Sequence, residues 1–378
     1  MNSGILAYGI VSIIALVWML TRLVRTPRSA PLWAVTGVVA GFAVAFPFGE
    51  AAGDQVSLLG LSPMLCRLVQ HGALLVAANC LIAFFLFSAL EFRRALRQTL
   101  AYAVPLLVTL VVLTVAAVRT PPGTGTNDHR VTSVAVFFVT ADLYLGFGFA
   151  VAFVLAWRYA RGAERRLARG LRIAALGMAG VVLAHSLFIP SVIMRWTGAA
   201  ASASADGNAQ TTIGWFGAVF FMLPGTVLFV VGVSYPAAAR RWAALRVWAY
   251  HRRMYHRLGP LWQELHRHFP EGQLGRVPTS RWRDLLTVRG VHRRYYRRVI
   301  ECRDGLVRLS PYLATVGGPD STTDPAVLAQ RLRAALKAHA DDAPVPAQAV
   351  PVAVPATGDT LDEDVRELAA LSAALRTA

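Results

Sequence analysis

The residues of this chain that could do chemistry are ionisable side chains inside long apolar runs. Asp142 lies within the run VAVFFVTADLYLGFGFAVAFVLAW, and His71 and His185 lie within two other runs. Inserting a charged side chain at the depth of the bilayer core costs at least ~2.5 to 3.5 kcal/mol. Such a residue is therefore expected to be functional unless a partner inside the protein neutralises its charge. Carboxylate and imidazole groups relay protons or bind polar ligands. That is the chemistry which this set predicts.

Helix geometry places these groups at a similar depth. At a rise of 1.5 Å per residue, His71, Asp142 and His185 each lie about 10 to 15 Å from the outer ends of their predicted helices. Arg67 stands one turn from His71, and Arg195 closes the outer end of the helix that carries His185. We therefore predict an outward-side site for a small polar or anionic ligand or a proton. Its candidate residues are Arg67, His71, Asn79, Asp142, His185 and Arg195.

The alternative interpretation of these residues is structural. Asp142 could pair with Arg67 or with a histidine and hold three helices together, and we weigh this equally with a ligand or proton site. For Asn79 alone, a packing hydrogen bond inside a helix interface is the favoured interpretation.

The elements that must position these residues are apolar segments of membrane-spanning length. The 378 residues are 55% hydrophobic and 16% charged, with a mean hydropathy of +0.48, which is too apolar for a soluble protein of this size. Segments of roughly 20 apolar residues are typical of transmembrane helices. We predict seven spans, at about 4–23, 31–48, 63–90, 100–118, the run from 134, 173–196 and 213–235.

Arginine clusters set the predicted orientation. Arg22, Arg25 and Arg28 follow the first span, and further clusters follow the third and the fifth. Because basic residues are enriched in cytoplasmic loops, we predict a multi-pass plasma-membrane protein with its N-terminus outside and its C-terminus in the cytoplasm. The outer loop at 119–130, RTPPGTGTNDHR, consists of turn residues, and we expect it to hold no structure of its own.

The predicted fold class is all-α, a seven-transmembrane-helix bundle followed by a small cytoplasmic helical domain. The predicted regions are the bundle at 1–235, a juxtamembrane and cytoplasmic helical domain at 236–341, a Pro/Ala-rich linker at 342–359 and a short terminal helix at 360–378. Aromatic residues at the depth of the lipid headgroups, next to arginines, are typical of a segment that contacts a membrane surface. The residues predicted to contact that surface are Arg240, Arg241, Trp242, Arg246 and Trp248.

The net charge of +17 favours anionic lipid headgroups as partners. Its arginines fall in alternate loops and in the C-terminal third, a pattern of membrane topology rather than of nucleic-acid binding. His251, His256, His266 and His268 lack an accompanying cysteine or carboxylate at ligand spacing, so we predict no metal site. The sequence has no phosphate loop or other cofactor motif, and we predict no cofactor. A cytoplasmic protein partner would bind through 240–378.

The C-terminal third contains two specific motifs, RLGPLWQELHRHFP and RWRDLLTVRGVHRRYYRRVIECRDGLVRLSPYL, followed by a short alanine-rich helix. This succession resembles the cytoplasmic domain of unknown function in an actinobacterial family of multi-pass membrane proteins labelled as transporters. The resemblance covers 240–378 by motif and the whole chain by layout. It implies a location and a shape, and it supplies no catalytic or binding residues.

Three functions fit these observations. The first is a small-molecule transporter with an outward-side polar intramembrane site. The second is a seven-helix receptor that couples an outer-half pocket to the cytoplasmic helices. The third is an intramembrane enzyme that acts on a lipid or isoprenoid with Asp142 as the acid, which requires a hydrophobic pocket around that residue. A non-enzymatic role is favoured.

Overall fold

The computed structural model describes residues 3–199, 211–270, 290–316, 324–344 and 361–377, with side chains from residue 13 to residue 376. Throughout these ranges the regular structure is helical, and no strand occurs in them. The all-α fold class is therefore confirmed. Residues 345–359 of the predicted linker lie outside the described ranges.

The helices are numbered in chain order. In residues 1–199 they are α1 Ser3–Arg25, α2 Ala30–Gly53, α3 Pro63–Ala89, α4 Phe92–Val118, α5 Thr132–Gly162 and α6 Arg165–Trp196. The next segments are α7 Thr212–Phe216, a π-helical segment Gly217–Met222, and α8 Leu223–Arg257. The remaining helices are α9 Gly259–His268, α10 Val291–Val316, α11 Pro325–Ala340 and α12 Leu361–Thr377.

Six helical segments of the described chain are long and apolar enough to cross a membrane, which indicates a multi-pass membrane protein. They are Ala30–Gly53, Pro63–Ala89, Phe92–Val118, Thr132–Gly162, Arg165–Trp196 and Thr212–Arg257. The predicted number of seven is wrong for the described residues. The predicted span at 4–23 folds as helix α1, Ser3–Arg25, which is not among these six segments.

The outward face of α4 shows why these helices need an apolar surrounding. Its large side chains at helical spacing are between 45% and 71% exposed. They are Leu100, Val104, Leu107, Val108, Val111, Val115 and Val118. An exposed apolar stripe of this length does not occur on an ordinary soluble monomer, so its natural environment is lipid.

The chain divides into two compact units, residues 1–239 and 240–378. The second unit has its own apolar core, built from α9 to α12 and the end of α8. Arg298 lies inside this unit and donates to the carbonyl and hydroxyl oxygens of Tyr255, at 2.9 Å in both cases. Its guanidinium also stacks 3.6 Å over the Tyr255 ring. Tyr255 thus supplies both acceptors and a stacking surface to this buried arginine.

Within the first unit, α6 and α8 pack through glycines. A Cβ atom added at Gly225 would lie 2.8 Å from the carbonyl oxygen of Gly177, and one added at Gly232 would collide with the backbone of Ala174. Lipid tails are as apolar as leucine, so helices in a membrane associate by close packing of small residues. These glycines therefore set the distance between α6 and α8.

We expect Gly177→Leu to separate α6 from α8. The added side chain would meet the backbone of Phe229 and Gly225, and overpacking of this kind costs up to about 3 kcal/mol. The free energy of unfolding is measured by denaturant titration of the purified protein in detergent. Gly162→Leu is the matched control, because a Cβ atom at Gly162 has no neighbour within 4 Å. Equal losses in the two variants would contradict the prediction.

Candidate functional site

Asp142 of α5 and His185 of α6 form a buried pair between neighbouring helices. Oδ1 of Asp142 lies 2.8 Å from Nδ1 of His185, and the two residues are 7% and 5% exposed. In the neutral tautomer with its proton on Nδ1, His185 donates this hydrogen bond to the Asp142 carboxylate and keeps a lone pair on Nε2. The histidine pairing that the sequence allowed for Asp142 is therefore present, and this pair joins two helices.

The ring of His185 also forms part of the wall of a cavity, which we call the His185 cavity. The cavity has a volume of about 170 Å³ and is open on one side, and α2, α3, α5, α6, the π-helical segment and α8 all contribute to it. Its lining side chains are apolar except those of His185 and Thr226. The Thr226 hydroxyl donates to the carbonyl oxygen of Met222 at 2.7 Å. Among the described residues that line this cavity, His185 is therefore the one ionisable residue.

The π-helical segment Gly217–Met222 packs against the turn of α6 that follows His185. A Cβ atom at Gly217 would lie 3.2 Å from side-chain atoms of Leu187 and Phe188, and Met222 lines the cavity. π-helical turns are rare and occur frequently at functional sites. The sequence analysis does not predict this segment.

The two members of the buried pair should depend on each other. Asp142→Leu alone leaves His185 without its partner, and removing one side of a buried pair costs about 3 to 5 kcal/mol. Because replacing both members by apolar groups is often near neutral, the double variant with His185→Leu should recover at least half of that loss. Denaturant titrations in detergent provide the double-mutant cycle. A double variant that loses the sum of both single effects would contradict this coupling.

The other predicted site residues do not join this pair. Arg67 donates to Gln70 Oε1 at 2.8 Å and to the loop residues Thr126 and Asn127 at 3.2 and 3.0 Å. The alternative in which Arg67 pairs with Asp142 is therefore wrong, because neutral oxygens of a nearby loop take its donors. The predicted cluster thus separates into two groups at different places in the bundle.

The remaining candidates have contacts of their own. His71 Nδ1 lies 3.1 Å from the carbonyl oxygen of Arg67, and its ring meets Phe137 and Phe138 edge to face. Arg195 donates to the carbonyl oxygen of Asn127 at 3.3 Å. Oδ1 of Asn79 is buried without a partner in the described chain, and the packing hydrogen bond favoured for this amide stays a prediction.

The loop at 119–130 forms turns but neither helix nor strand, in agreement with the expectation that it holds no structure of its own, and contacts with neighbouring helices position it. Thr126 is fully buried, donates to the carbonyl oxygen of Ala52 at 2.8 Å, and accepts from Gln55 at 2.8 Å. These contacts tie the loop to the end of α2, while Arg67 ties it to α3. Sequence reasoning missed Gln55, Thr126 and Asn127 because neutral polar residues in turns have no distinguishing spacing.

His129 of this loop stacks edge to face on Phe138, with 4.7 Å between the ring centroids. Both ring nitrogens are buried without a hydrogen-bond partner in the described structure. Burial, together with Arg195, lowers the pKa of His129 from 6.5 to about 4. The native state therefore holds this side chain neutral at physiological pH.

The lowered pKa of His129 predicts a pH dependence of stability. Between pH 6.5 and about 4 the unfolded chain binds a proton that the native state excludes, so this contribution to stability is lost as the pH falls through that window. We expect the apparent melting temperature of His129→Gln to fall less over that range than that of the wild type. Thermal unfolding in detergent at several pH values tests this. Parallel curves for the two proteins would contradict it.

The five predicted membrane-surface residues lie on α8. The Trp242 side chain is 61% exposed, and the Arg246 guanidinium lies 5.7 Å from the centre of its ring. The Trp248 ring lies 5.3 Å from the Arg252 guanidinium. Exposed tryptophan beside arginine is compatible with headgroup depth, and contact of these residues with a membrane stays a prediction.

Metal binding has no candidate centre in the described ranges, where no group of three His, Cys, Asp or Glu side chains is suited to hold an ion. The predicted absence of a metal and of a cofactor stays a prediction. The Cys302 thiol lies in the core of the second unit, and burial raises its pKa to about 12. This thiol is therefore unsuited to act as a nucleophile.

Residues 247–377 match the model of a family described as a family of unknown function, DUF6545. This match covers less than half of the chain and identifies a domain without assigning an activity. No curated protein and no solved structure matches the chain. The predicted C-terminal domain of unknown function is confirmed, whereas the transporter label and the actinobacterial origin have no support from these comparisons.

Proposed function

We propose that this protein is a membrane transporter of a small, mainly apolar molecule, which it binds in the His185 cavity. The single observation that carries the proposal is an apolar cavity whose wall contains the side chain of His185. Ligand sites are commonly clefts of about 300 to 1,000 Å³ lined by apolar side chains with few polar groups. The lining of the His185 cavity fits that description, and its volume of about 170 Å³ accommodates part of an apolar chain, with the remainder extending through the open side.

The chemistry of the cavity changes the ligand class that the sequence favours. A polar or anionic molecule would find one nitrogen in this cavity and otherwise apolar walls, so it would lose its hydration without replacement. A single-chain lipid or an isoprenoid alcohol buries its chain against the walls and donates its hydroxyl to Nε2 of His185. We therefore propose an amphipathic, single-chain substrate.

The arginine clusters support one orientation of the six spans. Basic residues precede α2, occupy the first turns of α4, and occupy the last turns of α5 and the first turns of α6, and such residues favour the cytoplasm. We propose that α2 begins and α8 leaves on the cytoplasmic side. The location of the N-terminus then depends on whether α1 also crosses.

A receptor is the second candidate function. The observation in its favour is that α8 contributes Thr226 and Phe229 to the cavity wall and extends to Arg257, within the DUF6545 match. A bound ligand that displaced this helix would bias the matched domain. The enzyme alternative has the hydrophobic pocket that it requires. The hydroxyl group in the cavity lining that could act as a nucleophile is that of Thr226, and it already donates to the carbonyl oxygen of Met222.

Filling the cavity should prevent binding. We expect Val38→Trp to reduce labelling of the purified protein in nanodiscs by a photoactivatable farnesol analogue about tenfold, because the indole occupies the space that the chain needs. Labelled peptides are identified by mass spectrometry and should come from the helices that line the cavity. Val108→Trp is the matched control, since Val108 is 60% exposed on α4 and does not line the cavity.

The two candidate functions differ in vesicles. A transporter should move a fluorescent lysolipid between the leaflets of proteoliposomes faster than protein-free vesicles do, and Val38→Trp should abolish the difference. Binding without movement would favour the receptor. Equal labelling of the wild type and Val38→Trp would overturn the proposed site itself.

A further inference from the structure

A second group of residues lies where α3 and α5 begin, and we call it the Arg67 cluster. It consists of Arg67, Thr126, Asn127, His129 and Arg195. Arg67 is only 8% exposed, yet the acceptors of its hydrogen bonds are neutral side-chain oxygens of Gln70, Thr126 and Asn127. In the described chain no carboxylate lies at ion-pair distance from it. A buried guanidinium without a counter-charge is costly.

The donors of this cluster are also incompletely used. Nε of Arg67 is buried without a hydrogen-bond partner among the described residues, and so are both ring nitrogens of His129. Arg195 approaches from α6 and donates to the carbonyl oxygen of Asn127, the residue whose side-chain oxygen accepts from Arg67. Two guanidinium groups from different helices therefore converge on one neutral residue.

The negative charge nearby is insufficient to balance them. Asp128 lies in the same loop, and its Oδ1 accepts from the backbone N–H of Arg130 at 3.2 Å. Burial and then Arg195 lower the pKa of His129, Asp128 opposes them, and Arg67 lowers this pKa further. The cluster thus has a net positive charge and spare donors.

We propose that the Arg67 cluster is a binding site for a phosphate group, supplied either by free phosphate or by a lipid headgroup. The phosphate takes the place of the Asn127 side-chain oxygen at Arg67 and also accepts from Arg195. A tetrahedral anion has enough oxygens to meet guanidinium groups from two directions, and arginine binds phosphate by paired hydrogen bonds. This site is separate from the His185 cavity and does not depend on the ligand proposed there.

The test uses the purified full chain and two variants. Thermal unfolding is followed in detergent with increasing inorganic phosphate, and separately in nanodiscs with and without phosphatidylglycerol. Whichever of the two binds, inorganic phosphate or phosphatidylglycerol, should raise the apparent melting temperature of the wild type by about 2 to 5 °C. Asn127→Asp places a carboxylate next to Arg67, so this variant should be more stable without phosphate and should lose the response. Arg67→Gln should also lose the response.

Arg119→Gln is the matched control, because it removes an exposed arginine from the same loop and should respond as the wild type does. A response to phosphate alone identifies the free anion, and a response to phosphatidylglycerol alone identifies the headgroup. The absence of both responses in the wild type would overturn the proposal. An unchanged response in Asn127→Asp would overturn it as well, even if Arg67→Gln fails to fold.

Discussion

The requirement that polar groups in an apolar helix bundle find partners inside the protein is the constraint on which this structure depends. Asp142 meets it by pairing with His185, and the pair fixes how α5 and α6 face each other. No water in a bilayer core could solvate either group if the helices moved apart. The register of α6 in turn decides which of its residues reach α8. One buried hydrogen bond thus constrains three helices.

Close packing and empty space occur on the same pair of helices. At Gly177 and Gly225 the backbones of α6 and α8 are nearly in contact, whereas nearer the π-helical segment the same helices border the His185 cavity. Since protein interiors are close-packed, a cavity of about 170 Å³ beside a glycine interface is the part of this bundle on which the proposed ligand site rests. The π-helical segment contributes Met222 to the wall of the His185 cavity. A regular α-helix over the same residues would direct different side chains toward the cavity.

The two polar groups of the bundle have different physical characters. In the Asp142–His185 pair each polar group has a partner, and the His185 side chain also lines an apolar cavity, which suits a ligand with one polar atom. The Arg67 cluster is cationic, lies under an ordered loop, and has neutral acceptors in place of a counter-ion. A protein with both features would bind an apolar molecule and a phosphate group at separate places, and each could be altered without the other.

The sequence by itself determined the helical class, the membrane environment and the C-terminal domain, because apolar run length, arginine position and the motifs near residues 257–313 are local properties of the chain. It also identified Asp142 and His185, since ionisable groups in apolar runs are conspicuous. Only the tertiary structure decided that Asp142 pairs with His185 and not with Arg67, and that residues 119–130 form an ordered loop. Those outcomes depend on helix rotation and on neutral loop oxygens, for which spacing along the chain carries no signal.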